Sequence, residues 1–498
     1  VGAIGYQYLC NSLDLTAFGP VRPARLAPVT RILRQDGNLS VPQKSAPQSA
    51  EPLDHLLFAL KHEGMELQIL AEALPKVEPS ALLAELRRTP NGSYIRAACY
   101  LWEHFTGQQL SDLPAVGGAI HRLFDPQDYV TGPDQYVSRW RLRFNGLGSL
   151  DYCATVRRTE RLQEALQGDV LADVDAFVHS LDRSMLERAL SWAYLSETES
   201  SYAIEREAPG EDRQRRFVRL LQRAHERAPL SEDYLLELQN EIVANPYARA
   251  AQFRQQQNRL RNALRGAGGV TYLPPPPEWV PELMGALMAF SNRSAEDIDP
   301  IVFASVVSFG FVFIHPFMDG NGRLSRFLFH HALCRSGRLA EGGLLPVSVA
   351  MKHNEAEYLS ALQSFSRPAR ERWSVRMVDD TEFETRFNGH PAMYRYWDAT
   401  ACVEYGFSMA RQALDIHLKQ EVATIGRYDK VYAAVNARFD LSGDDLATLI
   451  ISALQNQGVV SKNRRKQFAL QVPSEAFGVI EQHARAALLA ERPPSTGS

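Results

Sequence analysis

The segment HPFMDGNGRLSR, residues 315 to 326, sets a histidine, an aspartate and two arginines around a glycine-rich turn. Gly320, Asn321 and Gly322 tolerate positive φ, so successive backbone N–H groups can turn toward one point. A helix beginning near Arg323 aims its N-terminal dipole at the same point. Arg323 and Arg326 are three residues apart and share one face of that helix. Guanidinium groups so placed suit phosphate oxygens, which they bind through paired N–H groups. Asp319 offers one hard oxygen ligand to magnesium, which takes one or two carboxylates and fills its shell with water and phosphate. His315 is the one residue of the segment able to take a proton near neutral pH. A base, a carboxylate, an anion nest and two arginines are the parts needed to move a phosphorus group. Each alone also fits a glycine-rich turn around a buried histidine; the full set in this order does not.

Rigid elements must hold such a loop. The run IVFASVVSFGFVFI, 301 to 314, predicts a helix over Pro300–Ile314, and a second is expected over Arg323–Ser336, ending at Gly337. Upstream, VTYLPPPPEWVPELM, 270 to 284, reads as a short strand, an extended proline run and a helix starting near Pro281, after a turn at Gly266–Gly269. Residues 156 to 260 carry a charged helical pattern, as do Leu56–Leu70 and Tyr94–Gly107. Residues 1 to 34 suggest strand and turn, 35 to 52 a Pro/Ser/Gln linker, and 125 to 155 a long loop. Beyond about 370, Asp445–Gly458 predicts a helix, SKNRRKQ (461 to 467) a basic turn or ribbon, and ERPPSTGS (491 to 498) a disordered tail.

Global composition narrows the function classes. With 498 residues, two to four domains are expected. A formal net charge of −4 gives no overall drive toward nucleic acid or anionic membranes. Five scattered cysteines, Cys10, Cys99, Cys153, Cys334 and Cys402, without a CxxC pair, read as reduced thiols and exclude a cysteine-rich zinc site. The longest apolar run is too short to span a bilayer, and no basic secretory start is present. A cytoplasmic location is expected.

The segment 315 to 326 resembles the Fic motif, HPFx(D/E)GNGRxxR, and matches it at every specified position. The resemblance implies a helical core and a protein adenylyltransferase, which moves AMP from ATP with Mg2+ onto a Tyr, Thr or Ser hydroxyl of a target protein. It implies that His315 deprotonates the hydroxyl, that Phe317 anchors the loop and that Asp319 holds magnesium. Gly320, Asn321 and Gly322 would bind phosphates through their backbone, and Arg323 and Arg326 would hold the β- and γ-phosphates. Relatives with Lys at the position of Gly322 are linked to kinase-like chemistry; Gly favours nucleotidyl transfer. Val270, Thr271, Tyr272 and Leu273 resemble the flap that docks the target as an added strand, with FRQQQN (253 to 258) leading into it. Between them RLRNALRGAGG departs from the family's short Ile-Gly-Gly turn. Ser201 and Glu205, in SYAIER, resemble the inhibitory motif (S/T)xxxE(G/N) on a helix before the catalytic segment, with Arg206 departing from Gly or Asn. Glu205 would pair with Arg326 and take the space of the γ-phosphate.

The reading is a mainly α protein: an N-terminal region, 1 to 160, whose fold the pattern does not define; a Fic core with a β-hairpin flap, 185 to 370; and a C-terminal helical module, 371 to 498, with a winged-helix-like alternative. Removal of AMP, or transfer of UMP or phosphocholine by the same site, stays open. So does a nucleic-acid-binding regulator whose core senses nucleotide, acting through Arg464 and Arg465, and so does a homodimer. His330 and His331 are expected to be structural or surface residues rather than metal ligands. Asn354 and Tyr358 resemble the segment lining the base pocket.

Overall fold

The computed structural model describes residues 2–489 except 36, 244–245, 264–266, 294–295 and 379–382; Gly266 and the 491–498 tail therefore lie outside the described residues. The protein is mainly helical, with five small sheets among these residues.

The N-terminal region is built from short strands and helices. Ala24–Leu26 pairs antiparallel with Ala3–Ile4 and parallel with Asn38–Val41, and Leu33–Gln35 closes the other edge. The stretch expected to be a linker thus contains a strand, and Leu39 and Val41 are buried in it. Their alternation with polar neighbours was masked by the surrounding Pro, Ser and Gln. The helical pattern of Leu56–Leu70 is two helices, Pro52–His62 and Leu67–Ala73, parted at Gly64, whose φ is +100°. The segment expected to be a loop, 125 to 155, instead holds strands Gln135–Val137, Leu142–Phe144, Leu147–Ser149 and Tyr152–Thr155. Tyr152–Thr155 pairs in parallel with Tyr396–Asp398, tying the two halves of the chain together.

The elements around the motif are α1 (Arg183–Ile204), α2 (Glu211–Arg223), α3 (Glu232–Ile242), the flap strands β1 (Leu260–Arg261) and β2 (Val270–Tyr272), and helices α4 (Val280–Arg293), α5 (Pro300–Ile314) and α6 (Asn321–Arg335). They continue with α7 (Val347–His353), α8 (Glu355–Glu371) and the hairpin β3–β4 (Trp373–Met377, Phe383–Phe387). Every residue of α5 is buried, as expected of a helix apolar all round. Its start is fixed by Asp299, whose Oδ1 accepts the N–H groups of Ile301 (2.9 Å) and Val302 (3.2 Å), with Pro300 in the first turn. A Cβ on Gly310 would lie 2.6 Å from the Tyr152 hydroxyl, so the neighbouring sheet requires glycine there. Phe303 and Phe311 are fully buried, and truncating either to Ala costs about 3–5 kcal/mol.

The largest apolar cluster runs from Leu147 to Leu418 around α5 and α6; a second gathers the N-terminal region, and a third binds Val431 through Ala487. This last part is helical among the described residues. Arg464 and Arg465 lie on a short helix, Lys462–Gln467, rather than on a turn or ribbon, because Ser461 caps its first turn. No helix among the described residues is long and apolar enough to cross a membrane.

Candidate active site

The motif forms the turn between α5 and α6. His315 ends α5 in the left-handed region (φ 53°, ψ 59°), a conformation that redirects the chain and that non-glycine residues seldom adopt. Its Nδ1 lies 3.1 Å from the Val312 carbonyl oxygen. A carbonyl only accepts, so Nδ1 carries the proton and Nε2 keeps its lone pair. Burial pushes the imidazole down to about 4; the bond to Val312 opposes this and the Arg254 charge adds to it. The ring is therefore neutral at physiological pH and able to receive a proton.

Phe317 is fully buried, packed near Phe253 and Phe311. Asn321 closes the turn: its Oδ1 accepts the Phe317 N–H (3.0 Å) and its Nδ2 donates to the Phe317 carbonyl (2.8 Å). The Asn321 side chain is thus spent on the turn, leaving its backbone to face outward. Gly320 has φ +85°, and α6 begins at Asn321 rather than Arg323. The first N–H groups of a helix have no partner within it, so Asn321, Gly322 and Arg323 present donors at the dipole's positive end. Asp319 sits beside them; its Oδ1 accepts the Gly320 N–H (2.6 Å) and lies 3.4 Å from Arg323 Nη2.

Both arginines are buried, and each has a donor without a partner: Nε of Arg323 and Nη1 of Arg326. Unpaired buried donors on adjoining guanidinium groups fit an anion with several oxygens. In this structure carboxylates hold their outer nitrogens. Arg326 Nη2 donates to Glu205 Oε1 (3.0 Å) and to the Ser201 carbonyl (2.7 Å), while Nε donates to the Ser201 hydroxyl (2.8 Å). A Cβ on Gly322 would stand 2.0 Å from Glu205 Oε1, so the carboxylate lies directly against the start of α6.

A polar ladder holds α1 on α6. Glu197, Ser201 and Glu205 are spaced by four on one face, opposite His330, Arg326 and Gly322. Its deep rung pairs Glu197 with His330 at 2.6 Å, both 1% exposed, and Glu197 also accepts the Ser348 N–H at the start of α7 (2.7 Å). His330 is thus structural, as is buried His331, whose Nε2 donates to the Ala228 carbonyl.

Two residues packed against the site escaped the sequence reading. Glu207 lies 3.3 Å from Arg323 Nη1 and 3.3 Å from Arg213 Nη1, and the Tyr202 ring packs on the Arg323 guanidinium at 5.2 Å. The second, Arg254, is buried behind His315 and donates to its carbonyl (2.8 Å). Neither shows a local pattern; the one hint for Arg254 was its place in FRQQQN, leading into the flap.

Of the flap residues, β2 takes Val270, Thr271 and Tyr272 but not Leu273. Val270, Tyr272 and Leu273 are buried, with Tyr272 donating to the Phe313 carbonyl (2.6 Å), so only the Thr271 side chain faces outward. The hairpin β3–β4 backs the flap through Trp373, Val375, Phe383 and Phe387. A groove of about 1080 Å³ runs past Glu205, Thr271, Val312 and α8. Asn354 donates to Gln412 Oε1 (2.9 Å), and burial pushes the Tyr358 phenol up against the opposing charge of Arg326.

The Fic/DOC family model matches residues 229–333. Protein adenylyltransferase fic-1 of Caenorhabditis elegans is 30% identical over 157 residues, 31% of this chain and 28% of that protein. Protein adenylyltransferase Fic of Nematostella vectensis is 35% identical over 92 residues, 18% of this chain and 20% of its own. The chain thus spans about a quarter of the length of these curated relatives. A crystal structure of a Fic family protein from Desulfovibrio desulfuricans G20 aligns over 62% of this chain and 87% of its own, with TM-score 0.40 and 19% identity. The Fic/DOC family model thus falls on residues 229–333, which hold the flap, the candidate catalytic turn and nearly all of both helices around it.

Proposed function

We propose that this chain transfers AMP from ATP to a hydroxyl of a protein and that Glu205 holds the reaction in check. One observation carries the reading: a buried, neutral imidazole with a free Nε2 stands at one end of a turn whose other end presents helix N–H groups and two arginines with unspent donors. The names of the relatives, protein adenylyltransferases, agree with it.

In this reaction His315 Nε2 takes the proton of the target hydroxyl, and the freed oxygen attacks the α-phosphorus. The bond to the β-phosphate bridging oxygen breaks, and pyrophosphate leaves. The N–H groups at the start of α6 and the guanidinium groups of Arg323 and Arg326 receive the charge that develops on the leaving phosphates. Asp319 is a single half-exposed carboxylate at the edge of this cradle, which suits a magnesium ion arriving with the nucleotide. When bound, that ion offsets phosphate charge. Thr271, exposed on β2, marks where a target strand would add to the flap.

The test is the mass of the Glu205→Gly protein after incubation with ATP and magnesium, alone and with a cell extract as a source of targets. A gain matching AMP on any protein, lost again in Glu205→Gly/His315→Ala, is expected. No gain, or a gain that survives removal of His315, refutes the reading; labelling from UTP or CDP-choline instead reassigns the transferred group.

A further inference from the structure

Arg254 is 3% exposed, and its side-chain hydrogen bonds run to carbonyls rather than to carboxylates. A buried guanidinium without a counter-ion is costly unless fixed dipoles replace the lost water. Here backbone carbonyls do so. Nε donates to His315 (2.8 Å), Nη1 to Gln256 (3.1 Å), and Nη2 to Pro275 (2.5 Å) with Ile314 at 3.5 Å. The Arg254 backbone N–H adds a bond to the Pro316 carbonyl (2.8 Å). Ile314 and His315 carry the last carbonyls of α5, which have no partner within the helix and form the negative end of its dipole. Arg254 therefore caps α5 from outside, with one charge meeting both needs. Its remaining bonds run to the two ends of the flap segment, at Gln256 and Pro275. Asn258 continues the clasp by donating to the carbonyls of Phe317 (3.2 Å) and Met318 (3.3 Å).

We propose that Arg254 is a positioning residue for the proton transfer: by gripping the His315 carbonyl it holds that residue in its left-handed conformation and ties the imidazole to the base of the flap. The left-handed backbone of a non-glycine residue costs about 1–2 kcal/mol, so a specific contact must hold it. The guanidinium suits the task because its forked N–H groups reach carbonyls on two segments at once, which a lysine ammonium on a flexible stem cannot reproduce. The bridge also places the base and the strand that aligns the target on one rigid unit.

The proposal rests on AMP transfer by this site, and the experiment separates the two. In the Glu205→Gly background, Arg254→Lys is expected to lower kcat about 100-fold, the loss that a displacement near 1 Å can cause. ATP affinity should stay within about twofold, because the anion turn is closed by Asn321 and not by Arg254. In Arg254→Ala, added guanidinium chloride at non-denaturing concentration should return kcat about tenfold. A Lys variant with undiminished kcat, or one losing ATP affinity in step with kcat, overturns the proposal. If the Glu205→Gly parent itself fails to label any protein, the transferase reading falls, and Arg254 is still tested by the crystal structure of Arg254→Lys. There the proposal requires His315 to leave the left-handed region and is overturned if that residue keeps φ near 53°.

Discussion

Replacing Glu205 by Gly perturbs two things at once, and the structure sizes each. The charge-assisted bond from Arg326 to Glu205, at 3.0 Å, would contribute about 1.5–3 kcal/mol in a sheltered setting. The Glu205 side chain is 36% exposed, so solvent screens the pair and the lower end, about 1.5 kcal/mol, is the better value. That corresponds to about tenfold in the population able to accept a nucleotide in its productive pose. The second effect is volume: the carboxylate lies where even a methyl group on Gly322 would not fit. Initial rates of AMP incorporation, read by intact mass or by label from α-labelled ATP, should therefore rise at least tenfold in Glu205→Gly. Glu205→Gln keeps the volume and loses the charge, and should rise only a few-fold. A Gly variant no faster than the parent refutes the reasoning, and a Gln variant as fast as the Gly variant refutes the share assigned to volume.

Four further outcomes are expected. In the Glu205→Gly background the acidic limb of kcat/KM should fall near pH 4, since burial holds His315 there, and a limb near 6.5 would contradict the neutral, buried base. His315 and His331 both stand at about 4 when folded against 6.5 when free, so the unfolded chain binds more protons between those values. Their contribution to stability is accordingly full above pH 6.5, declines as pH falls below it and is gone below about 4; the urea midpoint should trace this, with a shallower slope in His331→Gln. Glu207→Gln should raise ATP affinity about twofold by calorimetry, a small effect because that carboxylate is 39% exposed and shared between Arg323 and Arg213. Arg206 is left-handed (φ 60°) where the Glu207 N–H bonds back to the Tyr202 carbonyl, so Arg206→Gly should raise Tm and lower basal labelling, by about 1 kcal/mol of relieved strain.

That left-handed turn fits the Gly or Asn expected after the glutamate of the motif: the chain reverses just past Glu205, which lies against α6. The sequence revealed which side chains meet at the turn because His315 through Arg326 are contiguous and each has a distinctive chemistry. It revealed α5 because a continuous apolar run, 301 to 314, follows Pro300. It hid the strands between 135 and 155 because each is three or four residues long, too short for alternation to register against Gly and Asp neighbours. Arg254 and Glu207 were hidden for another reason. Their partners lie 61 and 116 residues away, and their contacts depend on where backbone carbonyls and guanidinium groups arrive in space.

Gly322 answers to two masters. The carboxylate of Glu205 packs directly against Gly322, where the proposed function would seat a phosphate. A side chain added there would first meet that carboxylate, so changes at Gly322 and at Glu205 are coupled. If the proposed transfer holds, the tip of α1 is the place where activity can be tuned without touching the main chain that seats the phosphates.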